Sequence, residues 1–164
     1  MQLTSWSDLE LLGFDGFATV EALKHRDVIP QSPGVYCVVW SGPRQPVFVE
    51  VGTGGRFKGK DPNVAISKLY ENWVTGSAIL YIGKASGGKS GKRGLRKRLS
   101  EYLEFGEGRP IGHSGGRYIW QIKDSRSLLI CWKITDIEPR RVEKSMIFDF
   151  KAQFGQRPFA NLQD

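Results

Sequence analysis

The chain has 164 residues, of which 40% are apolar and 12% aromatic, and it carries a formal net charge of +7 at pH 7. This length and apolar content fit one domain with a hydrophobic core and exclude an intrinsically disordered chain. The basic excess favours a polyanionic partner, nucleic acid before an acidic membrane surface, although a merely basic protein is equally compatible with it.

The sequence carries no signal for secretion or membrane insertion. The first residues lack a basic region followed by an apolar run, and no apolar stretch approaches membrane-spanning length. Cys37 and Cys131 lie inside apolar runs, which predicts buried free thiols rather than a disulfide or a zinc site. We therefore expect a soluble, cytoplasmic protein with no membrane partner.

The first third of the chain predicts helices followed by a β-hairpin. Residues 5–24 favour one or two short helices, broken near the glycines at positions 13 and 16. Residues 35–40 and 47–51 are apolar and rich in valine, and they flank the turn signal Gly42-Pro43. This pattern predicts two strands joined as a hairpin.

The rest of the chain alternates predicted helices and strands. The helices are expected at residues 62–73, 95–105 and 139–154, and the strands at residues 78–82 and 128–134. Residues 118–122 fit either a short helix or a strand. Strands mixed with helices, without repeats or a linker, predict a single α+β domain over residues 1–164.

A glycine-rich stretch, residues 83–90, matches the phosphate-loop pattern of nucleotide hydrolases. That site needs a helix beginning at its Gly-Lys-Ser, where the first amides hold the phosphates. Gly91 and Gly94 would fall in the first turns of such a helix, and the helical pattern begins only near Leu95. We therefore disfavour nucleotide hydrolysis.

Two helices place charged side chains at the edge of apolar faces. Arg98 and Tyr102 lie one turn apart beside a leucine stripe, where a guanidinium can bind a phosphate or simply bury its stem. Glu143 falls within the apolar arc of the last helix, one turn from Met146 and Ile147. An inward glutamate predicts either a buried ion pair or a ligand for Mg²⁺.

These residues belong to a set that resembles the GIY-YIG nucleases. Gly34-Val35-Tyr36 and Tyr81-Ile82-Gly83 resemble the two tripeptides that name the family. Tyr81 to Ala85 and Leu95 to Tyr102 are similar to the incision nuclease module of bacterial nucleotide-excision repair. Residues 157–161 resemble the terminal proline-to-asparagine motif of the family.

The resemblance implies a small central, mainly antiparallel sheet flanked by helices. The motif-bearing core would span residues 33–161, and residues 1–32 would form a helical extension. An additional strand and helix would lie between the two tyrosine motifs, where the spacing is longer than usual. Such insertions leave the motifs intact but put substrate specificity in doubt.

The resemblance also implies roles for single residues. Tyr36 and Tyr81 would lie on adjacent central strands, one of them, with a slight preference for Tyr81, serving as general base or orienting the attacking water. Arg98 would neutralise charge on the phosphate, Glu143 would bind Mg²⁺ or Mn²⁺, and Lys84 would be a nearby cation. Tyr102 and Asn161 would orient these groups by hydrogen bonds.

Basic loops supply candidate contacts to the nucleic-acid backbone. One cluster comprises Lys84, Lys89, Lys92, Arg93, Arg96 and Lys97, and a second comprises Arg56, Lys58 and Lys60. His113, in a polar glycine-rich loop, is either a substrate contact or a plain surface histidine. A run of charge is also typical of an ordinary solvated face.

The sequence thus predicts a metal-dependent endonuclease, with DNA favoured over RNA as its substrate. The alternative is a catalytically inactive nucleic-acid-binding module on the same scaffold. With no separate recognition domain, specificity would come from the insertions, from a homodimer or from a partner protein.

Overall fold

The computed structural model describes residues 1–43, 45–113 and 115–164. Its four strands, Asp15–Thr19 (β1), Gly34–Val39 (β2), Ile79–Ala85 (β3) and Leu129–Ile134 (β4), form one antiparallel sheet in the order β1-β4-β2-β3. The α-helices are Trp6–Leu11 (α1), Ile66–Asn72 (α2), Leu95–Gly106 (α3) and Pro139–Phe154 (α4). The predicted α+β class with an antiparallel sheet is confirmed.

Short 3-10 helices complete the described secondary structure, at Ala22–Lys24, Arg26–Val28, Arg117–Gln121 and Ser125–Ser127. The third of these resolves the ambiguity at residues 118–122 in favour of a helix. Across the described ranges, none of the helices is long and apolar enough to cross a membrane.

The buried strand β2 separates two apolar layers. Its side chains alternate, as strand geometry requires, so that Tyr36 and Val38 face one cluster while Val35 and Cys37 face the other. Helix α3 packs in the first cluster and helix α4 in the second. Cys37 lies opposite Cys131 of β4, and both are buried free thiols, as predicted.

The prediction of one or two short helices over residues 5–24, and of a helical extension over residues 1–32, is wrong at residues 15–19, although a short 3-10 helix follows at Ala22–Lys24. Residues 15–19 form β1, which pairs with β4 and contains a bulge between Gly16 and Ala18. Gly16 and Phe17 both have positive φ, at 96° and 52°, because the bulged strand bends there. Leu3 and Leu9 are fully buried, so the segment before β2 contributes to the core.

The predicted strand at residues 47–51, and with it the additional strand between the tyrosine motifs, is also wrong. Phe48 makes only an isolated bridge with Ile122. Val47 and Val51 are exposed, so this segment lacks the packed face that a sheet strand would bury. The predicted helix between the motifs is present as α2, although it begins at Ile66 rather than Pro62.

The two helices that carry site residues follow the sequence closely. Helix α4 has the predicted bounds, with Pro139 in its first turn and Gly155 in the left-handed conformation after its end. Helix α3 begins at Leu95, as expected, and extends one residue further than predicted, to Gly106. The bounds of the two helices that carry site residues are therefore encoded by local sequence signals.

Candidate active site

A cleft of about 490 Å³ brings together six of the seven residues predicted to be catalytic. They come from β2, β3, α3, α4 and the segment after α4. The six are Tyr36, Tyr81, Lys84, Arg98, Glu143 and Asn161. Residues distant in sequence therefore share one solvent-accessible site.

The two tyrosines lie on neighbouring strands, as predicted, although β3 is at the edge of the described sheet rather than central. Tyr36 pairs with Gly83 across the ladder, and the rings of Tyr36 and Tyr81 are 6.0 Å apart between centroids. A Cβ at Gly83 would lie 2.4 Å from Cζ of Tyr36. The glycine of the second tripeptide therefore makes room for the tyrosine of the first.

Both phenols are held in the protonated form at neutral pH. Burial raises the pKa of Tyr81 to about 12 and that of Tyr36 well above its ordinary value. The Tyr36 hydroxyl is buried and has no hydrogen-bond partner among the described residues. A phenol that keeps its proton at neutral pH is a hydrogen-bond donor rather than a base.

Tyr102 lies behind the cleft rather than in its lining. Its hydroxyl donates a hydrogen bond to the carbonyl of Gly116 at 2.9 Å, and its ring packs 5.8 Å from that of Tyr81. A Cβ at Gly116 would lie 2.8 Å from the Tyr102 hydroxyl. Tyr102 therefore positions the loop at Gly116 and supports Tyr81, instead of orienting the cleft groups directly.

Glu143 lies half-buried in the cleft wall, with its side chain 15% exposed. One carboxylate oxygen is 3.7 Å from Nζ of Lys84, whose side chain is 40% exposed. Burial raises the pKa of Glu143, while the charges of Lys84, Arg140 and Arg98 act in the opposite direction. Glu143 therefore has a cationic partner, as the ion-pair alternative expected, and the pair opens to solvent through Lys84.

Arg98 and Asn161 differ in how freely they face the cleft. No described side chain forms an ion pair or hydrogen bond with Arg98, which also lines an adjoining pocket of about 150 Å³ with Lys84 and Arg93. Asn161 instead pairs with the backbone of Ile82, accepting a hydrogen bond at 3.0 Å and donating one at 2.9 Å. Asn161 therefore orients the segment after α4, and not the tyrosines or Glu143 as predicted.

Sequence reasoning missed several cationic residues and underrated His113. Arg117, Arg140 and Lys144 also line the cleft, whose described lining holds five basic and two acidic side chains. Arg140 precedes Glu143 by three residues, and this helical spacing could have predicted their shared face. The positive lining suits a polyanion.

His113 is 2% exposed, so the alternative of a plain surface histidine is wrong. Its ring lies 4.8 Å from that of Tyr102, and neither ring nitrogen has a partner among the described residues. Burial and the charge of Arg98 lower its pKa to about 3, opposed in part by the backbone of Gly115. The imidazole is therefore neutral at pH 7.

The side chains predicted to contact the nucleic-acid backbone are of two kinds, those exposed to solvent and those already bound to other groups of the protein. Lys89, Lys92 and Lys97 are exposed. Arg93 forms an ion pair with Glu101, and Arg96 donates hydrogen bonds to the carbonyls of Ile29 and Asp27 at 2.8 and 3.0 Å. Two donors of the Arg96 guanidinium are thus occupied in joining α3 to residues 27–29.

The structure also shows the surroundings of the second basic cluster and of the stretch that matches the phosphate-loop pattern. Arg56 pairs with Asp61 at 3.4 Å, while Lys58 and Lys60 are exposed. No helix begins at residues 88–90, since the next helix starts at Leu95. The glycine-rich stretch therefore lacks the amide array of a phosphate loop.

Of the carboxylates in the described cleft lining, Glu143 has one cationic partner, Lys84 at 3.7 Å. Asp164 also lines the cleft, but it is engaged with Lys151 and Arg157. The described residues contain no group of three or more histidine, cysteine, aspartate or glutamate side chains suited to a metal. This donor set fits a hard ion such as Mg²⁺ completed by water and substrate phosphate, and not a closed protein cage.

Comparison of the chain with protein-family models, curated proteins and solved structures finds no match. The resemblance to the GIY-YIG nucleases therefore rests on the motif residues themselves. What the structure adds is that six of these residues line one cationic cleft.

Proposed function

We propose that this protein is a GIY-YIG-type endonuclease that hydrolyses phosphodiester bonds in nucleic acid, DNA before RNA, with Mg²⁺ or Mn²⁺. The observation that carries the proposal is the convergence of both motif tyrosines, Arg98 and Glu143 on one positively lined cleft. We also propose that it acts in the cytoplasm, because buried free thiols suit a reducing compartment.

The cleft residues would have different roles, according to their charge and their hydrogen-bonding groups. Arg98 binds a non-bridging phosphoryl oxygen and offsets the negative charge that grows there during attack. Tyr81 and Tyr36 keep their protons and donate hydrogen bonds, which orient the attacking water and the phosphate. Lys84 adds positive charge while it holds the Glu143 carboxylate in place.

Glu143 would hold the divalent ion, with water and substrate oxygens as its other ligands. The ion supplies positive charge to the leaving oxygen when it is bound. The carboxylate that would hold the ion is paired with the Lys84 ammonium, so this ion pair would compete with metal binding.

A plasmid nicking assay with Mg²⁺ or Mn²⁺, against a chelator, tests the proposal. We expect Glu143→Gln and Arg98→Ala each to lower the nicking rate at least about hundredfold, since each removes charge stabilisation at the phosphate. Asp149→Asn and Arg141→Ala, on the same helix as Glu143 but outside the cleft lining, are the matched controls.

A specific observation also supports the second candidate, an inactive nucleic-acid-binding module. The Glu143 carboxylate already has a cationic partner in Lys84, so it needs no metal for neutralisation. Salt-dependent binding to DNA without metal-stimulated nicking would favour this module. Nicking by the Glu143→Gln variant at the wild-type rate would refute the assigned metal ligand.

A further inference from the structure

A second pocket of about 360 Å³ adjoins the cleft and shares Gly112, His113 and Arg117 with it. Its other walls come from the segment between the tyrosine motifs and from the end of α3. They include Phe57, Phe105, Ile111 and Pro62, with Lys60 and Asp61. Because the two pockets share these residues, the part of a ligand that extends from the cleft toward them would lie beside the second pocket.

The chemistry of the second pocket differs from that of the cleft. The cleft is cationic, whereas this pocket combines aromatic and aliphatic surface with Lys60, Asp61 and Arg117. A flat heterocycle with polar edges matches this combination, because aromatic rings stack on its face while polar groups meet its edge. The volume lies within the range of pockets that bind small ligands.

Phe57 is the one exposed large hydrophobic residue in this wall, at 39% exposure. An ordered turn holds it there, because the amide of Lys60 donates a hydrogen bond to the Phe57 carbonyl at 3.1 Å. The Lys58 ammonium lies 5.4 Å from the centroid of the ring, which adds positive charge beside it. Phe57 is therefore displayed at the pocket rather than used in the core.

Two contacts fix this turn against the wall that the pockets share. The amide of Gly55 donates a hydrogen bond to the carbonyl of Phe105 at 2.8 Å. A Cβ at Gly112 would lie 3.1 Å from Cε1 of Phe57, so the ring packs closely over this glycine. The aromatic surface is thus organised before any ligand binds, which lowers the entropy cost of stacking.

We propose that this pocket binds an unpaired nucleobase next to the phosphodiester held in the cleft. The inference rests on the proposed function and specifies its substrate class: nucleic acid with an unpaired or displaced nucleotide beside the cut, and not a continuous duplex. A base stacked within a continuous duplex presents neither face, whereas an unpaired base can leave the stack and lie on Phe57.

Fluorescence anisotropy in EDTA, which separates binding from cleavage, tests the proposal. The probes are a labelled DNA duplex with one unpaired thymidine, the same duplex with an abasic residue there, and the uninterrupted duplex. We expect the thymidine probe to bind at least about tenfold more tightly than the other two, and Phe57→Ala to abolish this preference. Phe57→Trp should retain it.

Phe148→Ala is the matched control, because Phe148 is 73% exposed on α4 and lines neither pocket. Equal binding of the three probes by the wild type, or equal weakening of all three in Phe57→Ala, would overturn the proposal. The two proposals fail separately: normal nicking by Glu143→Gln removes the metal role, whereas the base preference is measured without metal.

Discussion

The contact between Gly83 and Tyr36 gives a quantitative test of how the two tripeptides fit together. Replacing Gly83 by alanine puts a methyl group 2.4 Å from Cζ and 2.7 Å from the hydroxyl of Tyr36. The Tyr36 ring is fully buried between β3 and α3 and cannot swing into solvent. Overpacking of this kind costs about 1–3 kcal/mol.

For a domain of this size, that cost lowers Tm by roughly 2–4 °C for each kcal/mol. Urea unfolding followed by circular dichroism measures the free energy of unfolding directly. Gly87→Ala is the control, because the nearest atom to its added methyl is Cγ of Pro33 at 3.3 Å, and we expect a change within about 0.5 kcal/mol.

A double-mutant cycle identifies the cause of the destabilisation. Tyr36→Leu removes the ring, so Gly83→Ala should cost less than about 0.5 kcal/mol on that background. If Gly83→Ala costs the same in both backgrounds, or nothing in the wild type, then the proposed steric fit between the tripeptides is refuted.

Two further predictions concern the buried polar groups of the site. Tyr36→Phe removes a buried hydroxyl without a described partner, so we expect unchanged or slightly higher stability in urea but slower nicking; a loss of stability would contradict this. His113 has a folded pKa of about 3 against about 6.5 when unfolded, so the unfolded state binds the additional proton between these values. Stability should therefore fall as pH decreases below about 6.5, by up to about 1.4 kcal/mol per unit, and His113→Gln should flatten this dependence; an unchanged pH slope would contradict the neutral buried imidazole.

Local sequence signals were sufficient where an element's stability is itself local. Pro139 and Gly155 mark both ends of α4, and the leucine spacing marks α3. The apolar residues of both helices also recur at about one helical turn, and this periodicity places Arg98 and Glu143 at the edges of apolar faces. The shared cleft follows only when these helices are packed on the sheet.

The sequence could not predict β1, because its pairing partner β4 lies far along the chain and Gly16 interrupts any strand pattern. The strand predicted at residues 47–51 does not form, because residues of high β-propensity favour a strand only where their side chains pack against a neighbour. This segment lacks that packing, and Val51 is exposed. The burial of His113 arises from a loop folded against Tyr102, and no local pattern encodes that contact.

The pairing of Asn161 with Ile82 has a consequence for the outer boundary of the sheet. β3 is the outermost strand on its side, and an uncovered outer strand can recruit another chain into intermolecular β-structure. The amide of Ala160 donates a 2.8 Å hydrogen bond to the carbonyl of Leu80. The side chain of Asn161 binds both the amide and the carbonyl of Ile82. Because an amide side chain substitutes for main chain at this position, the same residue blocks strand addition and still lets the following residues turn into the cleft wall.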